Sequence, residues 1–169
     1  ESNSKNQATK DKRALALSNG SKFILEKIDV WNDLCTKLTP INTIHTSQKG
    51  TFGRTVMNAE EFEQESLGFI VSYGDLITSL NKRISNSKNI KVSYDSEALA
   101  FNEEDNKQTL FYKQKLEKKS VDCDLLVLAD GGKSKIKGID IKKTNKSFDH
   151  SALVSCVETD IPHSNVAYE

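Results

Sequence analysis

Cys123-Asp124-Leu125-Leu126-Val127-Leu128-Ala129-Asp130-Gly131-Gly132-Lys133-Ser134 is the stretch on which the reading of this chain turns. Residues 125–129 are an unbroken apolar run rather than an alternation, the pattern of a strand covered on both faces. Asp-Gly after hydrophobic residues ordinarily signals a hairpin, but residues 133–138 make a poor return strand. A buried strand that opens at its carboxyl end into a glycine turn fits better, and that is where ligands sit in open α/β sheets. In such a turn Gly131 and Gly132 let a backbone approach closely, and Asp130 accepts hydrogen bonds from a ribityl or ribose hydroxyl. Read alone, the three residues also suit a plain loop.

Upstream of this stretch, short strands are expected at 90–94, 96–101 and 107–113, with charged turns at 102–105 and 114–119. That is an antiparallel meander with one wet face. Residues 67–73 read as a further strand punctuated by Gly74-Asp75. A helix follows over 76–84, with positions 76, 77, 80 and 84 on one face. Residues 41–46 and 52–57 are β-rich and flank the Lys49-Gly50 turn, which predicts a hairpin. From Arg13 to Ile28 the apolar positions Ala14, Leu17, Phe23, Ile24 and Ile28 suggest a helix, capped near Ser18 or Asn19. A short helical piece over 31–38 stops before Pro40. Downstream, after a lysine-rich loop, 152–157 reads as a last clear strand, and 165–169 reads as the middle of another.

Helical segments alternating with a buried strand argue for α/β, and the hairpin-like blocks argue for an inserted antiparallel sheet. The expected fold is therefore α/β, with pieces of two interleaved domains. The boundaries expected are 1–40 and 67–140 for parts of one, the latter with the meander and the Asp-Gly motif, and 41–66, a hairpin, and 141–169 for parts of the other.

The totals exclude several classes. The chain has 24 basic and 24 acidic side chains and zero formal charge, so no global field draws it to nucleic acid. No apolar run approaches the ~20 residues needed to cross a bilayer. The first dozen residues are polar and carry no secretory signal pattern. Cys35, Cys123 and Cys156 form no CxxC pair and read as reduced thiols of a cytosolic protein, small buried hydrophobes rather than ligands. His45, His150 and His163 show no HxH or HExxH spacing, so a zinc site is not expected. There is no nucleophile elbow. Arginine is scarce, at positions 13, 54 and 83 only, and a chain that uses lysine elsewhere keeps arginine where a rigid fork is wanted. Arg13, just before the expected helix, has the chemistry to grip a phosphate bidentately, although an exposed charge is the plainer reading.

In order along the chain stand Arg13-Ala14-Leu15-Ala16-Leu17-Ser18, Ile28-Asp29-Val30-Trp31, Thr39-Pro40-Ile41 with Ile44-His45, and Gly50-Thr51-Phe52-Gly53. Leu67-Gly68-Phe69-Ile70-Val71, Ala129-Asp130-Gly131 with Ser134, and Ala167-Tyr168-Glu169 follow. This series resembles the flavoprotein monooxygenases of ubiquinone biosynthesis, especially the 2-octaprenyl-6-methoxyphenol hydroxylase type, over nearly the whole chain. The resemblance implies that Glu1 falls where the family ends a strand with an acid for the adenosine ribose. It implies that Arg13 approaches the ribityl-pyrophosphate region of FAD, and that Asp130, Gly131 and Ser134 belong to the motif serving FAD and the pyridine nucleotide. Tyr73 stands where related enzymes often carry Asn or Gln beside the flavin, and Lys137 where an arginine is common. No GxGxxG occurs, so the glycine turn that seats the FAD pyrophosphate on a helix is not in this chain. The resemblance implies that the α/β fold is a partial FAD/NAD(P)-binding Rossmann-like domain, with 1–40 and 67–140 as FAD-binding parts, interleaved with part of an antiparallel β substrate domain, with 41–66 as its hairpin and 141–169 as the start of its sheet. Relative to the family, the chain starts after the first βαβ unit and stops before the second half of the substrate domain.

The implied activity is FAD-dependent hydroxylation of an electron-rich phenol ring, with NAD(P)H as reductant and O2 as co-substrate, by a parent enzyme of which this chain is an internal, inactive piece. No residue of the stretch is an evident acid or base, so no catalytic residue is named. The implied partner is a small aromatic molecule carrying a polyprenyl chain. That places the parent in the cytoplasm at the inner membrane face, alone or within a biosynthetic complex. A non-catalytic α/β binding or scaffold domain, and another flavin enzyme such as a prenyl reductase, are the competing readings.

Overall fold

The computed structural model describes residues 9–104, 107–132, 135–142 and 144–169. The fold is mixed α/β and its described residues divide into two compact units, one within Lys5–Ile90 and Ala152–Glu169, the other within Lys91–Ser151.

In the first unit, β1 (Ala14–Leu17), β2 (Thr39–Ile41) and β5 (Gly68–Ser72) form an antiparallel sheet in the order β1-β5-β2. Helices α1 (Asn19–Lys27), α2 (Trp31–Leu34) and α3 (Tyr73–Ser85) belong to the same unit. Both longer helices begin on a serine whose hydroxyl accepts a backbone N–H of the first turn: Ser18 from Ser21 and Ser72 from Asp75. Leu25, Val30, Trp31, Leu34 and Val71 make the buried core, with Leu15, Leu17, Leu38, Phe69, Leu76 and Leu80 packed against it. Trp31 meets Phe69 edge-on at 4.9 Å between ring centroids. A second sheet of this unit joins β3 (Thr43–Ser47) and β4 (Arg54–Asn58) as the expected hairpin, and adds β9 (Val166–Tyr168) parallel to β3.

The second unit is an antiparallel meander, β6 (Ser96–Glu104), β7 (Lys107–Gln114) and β8 (Glu117–Cys123), of which β6 and β7 fall at the strands expected over 96–101 and 107–113. Lys137 bridges to β6: its N–H donates to the Leu99 carbonyl and its carbonyl accepts from Phe101.

Several expectations are corrected. Residues 14–17 are strand, not the opening of a helix. Leu15 and Leu17 alternate with the more exposed Ala14 and Ala16, and the segment pairs with β5 from Ala14↔Ser72 to Leu17↔Phe69. The helix starts after Ser18, where its cap is expected. Residues 117–119 are strand rather than turn. The meander turns tightly at Lys115-Leu116, with Lys115 at φ 58, and β8 is almost wholly exposed, so its polar sequence carried no strand period. Residues 90–94 form no strand. The runs 125–129 and 152–157 form none either: Leu125 is 76% exposed, Val127 70% and Leu153 97%. An apolar run signals a need for cover but supplies no hydrogen-bonding neighbour, and no described strand lies alongside either run. The cysteines are not core residues; Cys35 and Cys156 are exposed and Cys123 half-buried.

Candidate functional site

Two residues singled out from the sequence, Arg13 and Tyr73, come together although sixty positions separate them. The cause is the β1–β5 pairing. It sets Ala14 opposite Ser72, so the residues flanking that pair, Arg13 and Tyr73, meet where β5 passes into α3. The Tyr73 N–H donates to the Arg13 carbonyl at 2.8 Å, and the Arg13 guanidinium lies over the Tyr73 ring, 5.3 Å from its centroid.

Asp11 completes the group. Its Oδ2 accepts from Arg13 Nε at 2.8 Å and Nη2 at 2.6 Å, and its Oδ1 accepts the Arg13 backbone N–H at 2.9 Å. The Arg13 side chain nonetheless stays 64% exposed, against 22% for Asp11. The guanidinium holds the Asp11 carboxyl below the usual carboxylate range, and the carboxylate raises Arg13 in turn. The Asp11 carbonyl accepts the Gly74 N–H at 2.8 Å. Only glycine fits there: a Cβ on Gly74 would lie 2.9 Å from the Thr9 carbonyl carbon and 3.0 Å from the Asp11 oxygen, and would strike the Thr9 oxygen.

The N-terminus of α3 is itself closed to an anion. Its first three N–H groups are taken, Tyr73 by Arg13, Gly74 by Asp11 and Asp75 by the Ser72 hydroxyl. Asp75 adds a negative charge there, hydrogen-bonded to Ser72 at 2.5 Å and paired with Lys37 at 2.9 Å. The Ser72 hydroxyl first, then the Lys37 ammonium, keep its carboxyl below the ordinary value.

Asp130 and Gly131 belong to the other unit. Asp130 Oδ1 accepts the Gly132 N–H at 2.8 Å, closing an Asx turn in which Gly131 and Gly132 have φ of 68° and 74°. Space is open where either glycine would carry a side chain. The glycines thus serve the left-handed backbone here. Glu1 and Ser134 lie outside the described residues. Asp11 was not singled out from the sequence; its signal is the spacing, because residues i and i+2 of an extended segment share a side.

A polar notch of about 330 Å³ lies elsewhere in the first unit, lined by Asn19, Lys22, Glu63, Gln64, Glu65, Ser66 and Phe69. Lys22 is matched there by Glu26 and Glu65. Among the described residues no group of His, Cys, Asp and Glu is arranged to hold a metal, and no helix is long and apolar enough to cross a membrane.

In the first unit Arg13 keeps donors turned to solvent beside an aromatic face. In the second unit, taken by itself, the Asp130 turn leaves open space beside two glycines. Among solved structures, the chain is similar to p-nitrophenol 4-monooxygenase PnpA from Pseudomonas putida DLL-E4, with 10% identity over 66% of this chain and a TM-score of 0.54, a likeness of fold. The tetracycline destructases Tet(51) and Tet(55) also match, at 13% and 17% identity over 72% and 68% of the chain, with TM-scores of 0.47 and 0.44. The chain spans 30%, 29% and 27% of the lengths of these three proteins. The family model described as FAD binding domain matches residues 3–166, nearly the whole sequence, and the chain belongs to that family.

Proposed function

We propose that these residues are part of a FAD-dependent monooxygenase that hydroxylates the ring of a polyprenyl-phenol in ubiquinone biosynthesis, with NAD(P)H as reductant and O2 as co-substrate. The observation that carries the reading is the meeting of Arg13 and Tyr73 at the start of α3 in a chain of the FAD binding domain family. The ordered motif series described above supports the ubiquinone-biosynthesis type. When bound, FAD supplies the redox chemistry of ring hydroxylation. The chain's own part is to hold it: Arg13 donates from its exposed edge, Tyr73 offers a ring face, and Asp130 with Gly131 forms a turn that a ligand can approach closely.

In this reading 1–40 and 67–140 contribute to the FAD-binding part, and 41–66 and 141–169 to the substrate sheet. Residues 1–169 alone are inactive, and the intact protein works at the inner membrane face, where a polyprenylated substrate resides. The test is the visible absorption spectrum of the purified intact protein, followed by product analysis with phenolic and prenyl substrates. Bound flavin with NAD(P)H-dependent ring hydroxylation is the expected result. Bound flavin with saturation of a prenyl chain would replace hydroxylation by reduction, and a colourless protein that gains no flavin on reconstitution would favour a scaffold domain.

A further inference from the structure

Arginine carries five N–H donors on two usable edges, the side edge of Nε with one Nη and the end edge of both Nη groups. Asp11 occupies the side edge of Arg13 through Nε and Nη2. No described residue accepts from Nη1, and the side chain remains 64% exposed, so the end edge faces outward. An ordinary surface ion pair holds two floating side chains and contributes little. Asp11 is not floating: its carboxylate also accepts the Arg13 backbone N–H, and its carbonyl is anchored by Gly74 at the start of α3. The Tyr73 ring limits the guanidinium from one face. Since the first α3 N–H groups are already taken, the end edge of Arg13 is a strong, oriented donor that this corner offers a ligand.

We propose that Asp11 is a positioning residue, which holds Arg13 side-on so that its end edge is presented, already ordered, to an oxygen of the flavin dinucleotide. This rests on the FAD reading above and adds to it. The alternative role for the same carboxylate is competition, in which Asp11 neutralises Arg13 and must be displaced before a phosphate binds. The two roles differ in sign, and Asp11→Asn separates them because it keeps the shape and removes the charge.

The experiment has two readouts. In the 169-residue chain, three arginines yield three Nε–Hε signals in a proton–nitrogen correlation spectrum, and Arg13→Lys assigns the one from Arg13. That signal is expected to be protected from solvent exchange in the wild type and to lose protection in Asp11→Asn, with the other two unchanged. In the intact protein, FAD affinity followed by flavin fluorescence is expected to fall about three- to tenfold in Asp11→Asn, the cost of ordering one long side chain on binding. Asp11→Asn is expected to add nothing to Arg13→Ala. Tighter FAD binding in Asp11→Asn would overturn the proposal in favour of competition. An Arg13 signal indifferent to Asp11→Asn would overturn it by removing the pair. A wild-type protein that binds no flavin would defeat the functional reading itself, and the proposal with it, even with the Arg13 signal protected as expected.

Discussion

Adding one methyl group at Gly74 sets two effects against each other. Gly74 is the second residue of α3, and alanine is favoured over glycine in a helix by at most about 1 kcal/mol. Against this, the new Cβ would meet three backbone atoms of residues 9 and 11, at 2.9 Å from the Thr9 carbonyl carbon and 3.0 Å from the Asp11 oxygen, with the Thr9 oxygen nearer still. None is the end of a flexible side chain, so the segment must move. Overpacking of this kind costs about 1–3 kcal/mol. The displaced segment also loses the Gly74 N–H to Asp11 hydrogen bond, worth about 1 kcal/mol. The balance is a destabilisation of about 1–3 kcal/mol, and for a chain of this size each kcal/mol lowers Tm by about 2–4 °C. Trp31, the single tryptophan, lies in the core of the same unit, so its fluorescence during thermal or urea unfolding reads this unit directly. Gly20 is the internal control. It is the second residue of α1 after a serine cap, but a Cβ there would meet only the Ser18 hydroxyl, at 3.6 Å. Gly20→Ala is expected to be stabilising by about 0.4–1 kcal/mol. If Gly74→Ala matches Gly20→Ala, helix propensity alone governs both sites and the close approach of residues 9–11 to α3 is refuted.

Further outcomes are expected from other residues. Leu34, fully buried among Val30, Trp31 and Val71, is expected to cost about 2–5 kcal/mol when replaced by alanine, measured by the same fluorescence. The Asp75 carboxyl is held below 3.8 in the folded state by Ser72 and Lys37, so its contribution is complete above pH 3.8 and lost as pH falls through the lowered value. Asp75→Asn should therefore flatten the acid side of the stability profile, and an unchanged acid limb would deny the carboxylate that role. Leu125, Val127, Leu153 and Val154 expose apolar side chains, so the 169-residue chain is expected to self-associate in sedimentation, with a lysine at 127 reducing it. A sharp wild-type monomer would contradict this.

Much of the architecture was legible before any coordinate. The Ser18 cap, the hairpin about Lys49-Gly50, the β6–β7 pair and the strand–helix passage at 68–85 rest on local chemistry: cap hydroxyls, turn residues and periods that neighbouring residues determine. Arg13 and Tyr73 were legible as residues of interest, but not as neighbours. Only the antiparallel register of Ala14 with Ser72 brings them together, and only the tertiary structure sets the Asp11 carboxylate on the Arg13 guanidinium and its carbonyl on the Gly74 N–H. Residues 14–17 show why. Four apolar residues in a row, Ala14 to Leu17, satisfy either period, and hydrogen bonds from a strand more than fifty residues away decided for β. The runs at 125–129 and 152–157 show the converse, since an apolar sequence demands cover but becomes a strand only where another strand offers its N–H and C=O groups. Helix starts and turns are settled by the residues that form them; strands, and the site built where two of them meet, are settled by partners the local sequence does not contain.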